Sequence, residues 1–215
     1  MSDLIAKVKA LLLTPKAELP KKLAEPGELK AVLIPYVAVL AALGPITAFI
    51  SSGLIGIYHS GTTIFGMNIP GGFIRTPIRS LFTSILSYAV SIAAWWFYGF
   101  LLATLAPSFG GRKDMGGALK VAAYSMTPMW VVGALGLFNT IPLLALLLFW
   151  LPAIGAMVYA VMIAIWAVPL LLGTPEDKAV GHALAAGGIA AISVLVVYGL
   201  VVGLIFSMIL ATAFH

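Results

Sequence analysis

Five stretches of this chain contain no Asp, Glu, Lys or Arg: Ala31 to Ile57, Ser80 to Ala106, Val121 to Leu137, Pro142 to Leu172 and Ala183 to Ala213. They run for 27, 27, 17, 31 and 31 residues, where about 17 to 25 apolar residues let a helix cross roughly 30 Å of hydrocarbon. Lipid offers backbone N–H and C=O groups no partner, so each stretch reads as a spanning helix. The third is short. The fourth is long enough that it must tilt, break at Pro152 or protrude. The 215-residue chain is 62% hydrophobic and 9% charged, too apolar to cover a soluble surface. The expected fold class is all-α: a polytopic transmembrane bundle of five helices over 31–215, preceded by a segment, 1–30, at the membrane surface.

In that leading segment Leu4, Ile5, Val8, Leu11 and Leu12 share one helical face, Lys7 and Lys9 lie off it, and Ser2 or Asp3 is placed to cap. An amphipathic helix on the membrane interface is expected, the alternative being a helix packed beneath the bundle. The first thirty residues hold six lysines and no long apolar run, unlike a secretory leader, so the N-terminus is expected to be retained.

Lysine and arginine concentrate on the cytoplasmic side of membrane proteins. With five passes, one side collects Lys7, Lys9, Lys16, Lys21, Lys22, Lys30, Arg112, Lys113, Lys120 and Lys178, and the other only Arg75 and Arg79. This bias puts the N-terminus in the cytoplasm and the C-terminus outside. The same clustering at membrane flanks explains the net charge of +5 without nucleic acid, which calls for a basic stripe among aromatics.

Proline punctuates the bundle. Pro77 and Pro107 bracket span two, whereas Pro45, Pro128, Pro152 and Pro169 fall inside spans. Pro128 removes a backbone bond from the Tyr124 carbonyl, and Ser125 and Thr127 in YSMTP are placed to replace it. A kink in span three is expected, a hinge or ligand-lining break being the alternative. Between spans one and two, YHSGTTIFGMNIPGGFIRTP is long for a connection and suits a short hairpin or a dip into the interface. Arg75 and Arg79, one helical turn apart, suit lipid phosphates. In span five Ala183, Gly187, Ala191, Gly199, Gly203, Ser207 and Ala211 follow a spacing of four interrupted only by Leu195, a stripe that lets another helix approach closely. Packing within the monomer is expected, a homo-oligomer seam being the alternative.

Sites for chemistry are sparse. FGGRKDMGGALK lacks the GxxxxGK[ST] order of a phosphate-binding loop. His59, His182 and His215 stand apart from one another and from carboxylates at ligand spacing, and there are no cysteines. Neither a metal nor a cofactor is expected. No carboxylate lies inside a charge-free stretch to relay protons or balance an ion. Thr174 reads as a helix N-cap, with Pro175 at the first position and Glu176 and Asp177 near the positive end of the helix dipole. Asp114 reads as the cap of a helix beginning at Met115, with Gly116 and Gly117 permitting close approach.

Three segments, VKALLLTPKAELPKKLAEPGELK, LAPSFGGRKDMGGALKVAAYSMTP and TPEDKAVGHA, in this order and with five spans, resemble the Yip1 family of polytopic membrane proteins, in particular its bacterial branch. The resemblance implies five transmembrane helices, a cytoplasmic N-terminus and a C-terminus on the opposite side. For eukaryotic relatives it implies vesicle trafficking and contact with small GTPases; some bacterial relatives are described as candidate transporters. The bacterial pattern often has an acid just before LAP, where Ala103 and Thr104 stand here. The residues it marks are Pro107, Gly110, Gly111, Asp114, Lys120, Tyr124, Pro128, Pro175, Glu176, Asp177 and Lys178, with Gly187, Gly199 and Gly203 as helix-packing positions. The expected function is a non-enzymatic protein of a bacterial inner membrane whose cytoplasmic loops present a surface to a protein partner or to lipid headgroups. The alternative is a facilitative channel or transporter for a small solute or ion through proline-broken helices.

Overall fold

The computed structural model describes the backbone of residues 2–24, 29–64 and 67–213, and the side chains of residues 4–21, 34–63, 68 and 70–200. Two short helices lead, α1 (Ser2–Leu13) and α2 (Pro15–Ala24). Span one follows as α3 (Leu29–Ala41), α4 (Leu43–Ala48) and a π-helical turn, Phe49–Ile55. Four strands, β1 (Ile57–His59), β2 (Thr62–Ile64), β3 (Met67–Ile69) and β4 (Gly72–Ile74), lead into α5 (Pro77–Leu105). The remaining helices are α6 (Met115–Gly133), α7 (Pro142–Leu144), α8 (Leu151–Leu172) and α9 (Glu176–Ala213). Five helical stretches, Ile34–Ile55, Pro77–Phe109, Met115–Thr140, Pro142–Leu172 and Glu176–Leu200, are long and apolar enough to cross a membrane.

The helices outrun the charge-free stretches, because backbone hydrogen bonding continues into the headgroup zone where charged side chains are tolerated. Lys120 therefore lies inside α6, and Glu176, Asp177 and Lys178 form the first turn of α9. Breaks fall where proline demands them. Pro45 repels the carbonyl four residues back, and α3 ends there, at Ala41. Pro152 leaves the Leu148 carbonyl without its usual donor, and the turns before it, Ala145–Trp150, widen to a π-helix. Span three behaves otherwise: α6 stays helical through Pro128 to Gly133. Its hydroxyls do not take the Tyr124 carbonyl. Ser125 donates to the carbonyl of Val121 (2.7 Å) and Thr127 to that of Ala123 (2.9 Å), each one turn back.

The centre of the bundle is α6, flanked by α5, α8 and span one. Close approach is bought by glycine. At Gly99 of α5 a Cβ would stand 3.2 Å from the Leu119 Cα, and Trp95 Nε1 donates to the Leu119 carbonyl at 3.1 Å. Span one crosses α6 at Gly44 and Gly133, where the Thr47 hydroxyl reaches the Gly133 carbonyl (2.7 Å). On α9, Ala179, Ala183, Ala186 and Ala190 are buried, and Gly187 faces the Tyr98 ring. The chain itself thus covers the first two positions of the small-residue stripe, Ala183 and Gly187, whereas Ala191 is exposed. Gly199 has open space where a Cβ would project; the surroundings of Gly203, Ser207 and Ala211 lie outside the described side chains.

The leading helices dock on the flank of the bundle, not beneath it. Leu11 and Leu19 are fully buried, and Leu4, Ile5, Val8 and Lys9 line a groove with Val39, Leu40, Leu43 and Val131. Pro15 disturbs the end of α1 and frees carbonyls there. The Tyr159 hydroxyl takes the one on Leu12 (2.8 Å), and Lys16 sits 5.0 Å over the Trp166 ring. Ile5 and Leu13 remain exposed, leaving an apolar side toward lipid. The caps proposed at Ser2 or Asp3 lie outside the described side chains.

Candidate functional site

The loops between spans two and three and between spans four and five meet at one end of the bundle. Past α5 the chain makes a 3₁₀ turn, Ala106–Phe109, closed by Gly110 at φ +79°, a left-handed conformation that glycine adopts at least cost. The turn then folds back, with Gly111 N–H donating to the Ala106 carbonyl at 2.8 Å. The next donor crosses to the other loop: Arg112 N–H reaches the Leu172 carbonyl at 2.7 Å. Leu172 ends α8, where carbonyls lack helical partners, so one loop caps the helix that feeds the other.

Gly111 is the contact point. A Cβ there would lie 2.6 Å from Thr174 Oγ1, 2.8 Å from the Leu172 carbonyl oxygen and 3.3 Å from that of Ala106. Beside it Asp114 accepts from Gly117 N–H (3.0 Å), the expected cap of α6. Gly117 in turn lies against Asp114 and the Leu171 carbonyl. Gly110 abuts the Pro175 ring, within reach of Lys178.

Thr174 does something other than the expected capping. Its hydroxyl lies 3.0 Å from His182 Nδ1, while His182 Nε2 lies 2.8 Å from the Leu102 carbonyl. A carbonyl only accepts, so Nε2 carries the proton, Nδ1 is the acceptor and Thr174 O–H donates to it. His182 is fully buried and Thr174 nearly so. The Phe109 ring stacks on the imidazole, with centroids 5.2 Å apart and planes 6° apart, and Gly181 gives that ring room. One histidine thereby ties α5, both loops and α9 together.

His182 escapes sequence reasoning that looks for ligand or catalytic spacing. Its signal is its place on a buried alanine face, with Ala179, Ala183 and Ala186, where a polar ring must find partners inside the bundle.

The residues marked in the sequence divide in three. Gly111 and Asp114 are half-buried and build the junction. Pro107, Gly110, Pro175, Glu176, Asp177 and Lys178 are exposed around it, together with Arg112 and Lys113. Tyr124 and Pro128 are elsewhere: they are buried in α6, nine residues and more beyond Met115, or about 14 Å up the helix. There Tyr124 meets the edge of Tyr36 at 5.7 Å, and Tyr36 Oη lies 2.6 Å from Thr127 Oγ1. Lys120 is half-buried between the two levels, and Gly187 and Gly199 lie along α9, away from the junction.

A model of the Yip1 domain matches residues 9–198 of the chain. No curated protein and no solved structure matches it.

Proposed function

Because the chain belongs to the Yip1 family of membrane proteins, we propose that it is a non-enzymatic scaffold of a bacterial cytoplasmic membrane, with the interlocked loops facing the cytoplasm as a docking surface. The lysine bias and the likeness to the bacterial branch support that placement. The observation that carries the reading is the division of labour at the junction. Half-buried Gly111 and buried Thr174 and His182 fix the two loops to each other, while the exposed side chains of Glu176, Asp177 and Lys178 make no hydrogen bond or ion pair among the described residues. Fixed loops lose little conformational entropy on binding. Exposed Arg112, Lys113 and Lys178 share this end of the bundle with exposed Glu176 and Asp177, and a surface of mixed sign matches a protein partner better than a uniformly anionic headgroup layer.

A photo-crosslinking residue at Ser108 tests this in cells. The expected result is a discrete protein adduct that disappears in the E176Q/D177N/K178Q variant, with Asp114 left in place because its carboxylate caps α6. The same adducts in both chains, or adducts to lipid alone, would refute a protein-docking surface.

Close packing weighs against the facilitative pathway. Val121, Ala122 and Ala123 are inaccessible, and Tyr124 and Pro128 sit among them without a lining of exposed polar groups. Liposomes containing the purified protein are expected to be no more permeable to small ions and polar solutes than empty ones. Protein-dependent flux that responds to Tyr124→Phe would replace the scaffold reading with transport.

A further inference from the structure

We propose that the paired strands β1 and β4 lie on the lipid surface at their end of the bundle, with the Tyr58 and Phe73 face in the membrane. β1 pairs with β4, from Ile57 opposite Ile74 to His59 opposite Gly72, and β2 pairs with β3, from Thr62 opposite Ile69 to Ile64 opposite Met67. The two ladders are separate two-stranded sheets, parted by Ser60, Gly61, Pro70 and Gly71, which pair in neither. Side chains alternate between faces along a strand. One face of the β1–β4 ladder accordingly carries the pair Tyr58/Phe73. The other carries Ile57/Ile74 at its base and His59/Gly72 beyond it. A one-residue slip would mix the two sets.

The aromatic face lies open: Tyr58 and Phe73 pack edge-to-face at 5.5 Å and are both exposed. A lone two-stranded ladder is marginal in water, so this one needs a surface.

Lipid is the occupant that the surroundings supply. The β1–β4 ladder starts and ends at the membrane edge, two residues after Ile55 of span one and three residues before Pro77 of α5. It holds no charged residue between Ile57 and Ile74, and aromatic side chains favour the headgroup level. Exposed Arg75 and Arg79 follow at once, at the height of the phosphates. The base is held firmly. Gly56 bends at φ +99°, Arg75 Nε donates to the Ile55 carbonyl (3.2 Å), Thr76 N–H donates to that of Ser52 (3.1 Å), and Ser80 Oγ bridges Ser52 (2.8 Å) and Thr76 (3.0 Å).

The chain has no cysteine, so single-cysteine variants of the full-length protein can carry an environment-sensitive dye in liposomes of neutral and anionic phospholipid. Dyes at Tyr58→Cys and Phe73→Cys are expected to be quenched severalfold more by lipid-borne nitroxide than dyes at His59→Cys and at Gly72→Cys, where a Cβ projects into open space. Aqueous iodide should give the reverse order. Equal iodide quenching at all four positions would overturn the proposal. So would protection of Tyr58→Cys from both quenchers together with crosslinks between two copies, which would make the face a dimer contact.

Discussion

Gly111→Ala is expected to lower the thermal midpoint of the purified protein by about 10 °C, taking a loss of about 3 kcal/mol at 2 to 4 °C per kcal/mol for a chain of this size. The added methyl would press on two backbone carbonyls and on Thr174 Oγ1. Carbonyls cannot rotate away, so relief requires the loops to part. That parting breaks the Arg112 to Leu172 hydrogen bond and exposes the His182 cluster. Gly110→Ala is the control. Its methyl meets the Pro175 ring at an ordinary 3.4 Å, so only the left-handed backbone matters, at a cost of about 1 kcal/mol. Loss of monodisperse elution on heating in detergent would measure both. Equal, small shifts would mean that the loops are not interlocked.

The second large effect is expected at His182. His182→Ala removes the stack on Phe109 and leaves the buried Thr174 hydroxyl without its acceptor, a combined loss of about 3 kcal/mol. His182→Phe separates the two contributions, since a phenyl ring can stack yet cannot hydrogen-bond. Thr174→Val removes only the hydroxyl and should cost about 1 kcal/mol. If the hydroxyl acts through the imidazole, the His182→Phe/Thr174→Val double variant will be less destabilised than the sum of the singles. Additive losses would show that each side chain acts alone.

The sequence carries the bundle because lipid imposes a coarse rule. Long runs without charge must be helical, and proline and glycine then mark where helices break or approach, as at Pro45, Pro152, Gly44 and Gly133. The Asp114 cap is legible for the same reason: it is a local contact between residues three apart. The junction is not local. His182 lies 80 residues from the carbonyl that it contacts, and only packing of α9 against α5 brings them together. Thr174 illustrates the conflict. Local pattern assigns its hydroxyl to the start of α9, but a buried imidazole eight residues on is the acceptor it meets. Tyr124 and Pro128 share a sequence segment with the loop residues, yet helical rise carries them into the core. The antiparallel strands between spans one and two are legible as one of two alternatives, a short hairpin, but which residues share a face emerges only once the register is known.

The central claim is that both loops share the cytoplasmic side and the β1–β4 ladder occupies the other, and labelling single cysteines in intact cells with a membrane-impermeant maleimide tests it most directly. His59→Cys is expected to react in sealed cells, and Ser108→Cys and Glu176→Cys only after permeabilisation. Reaction of Ser108→Cys and Glu176→Cys from opposite sides, or of either one together with His59→Cys in sealed cells, would contradict the account.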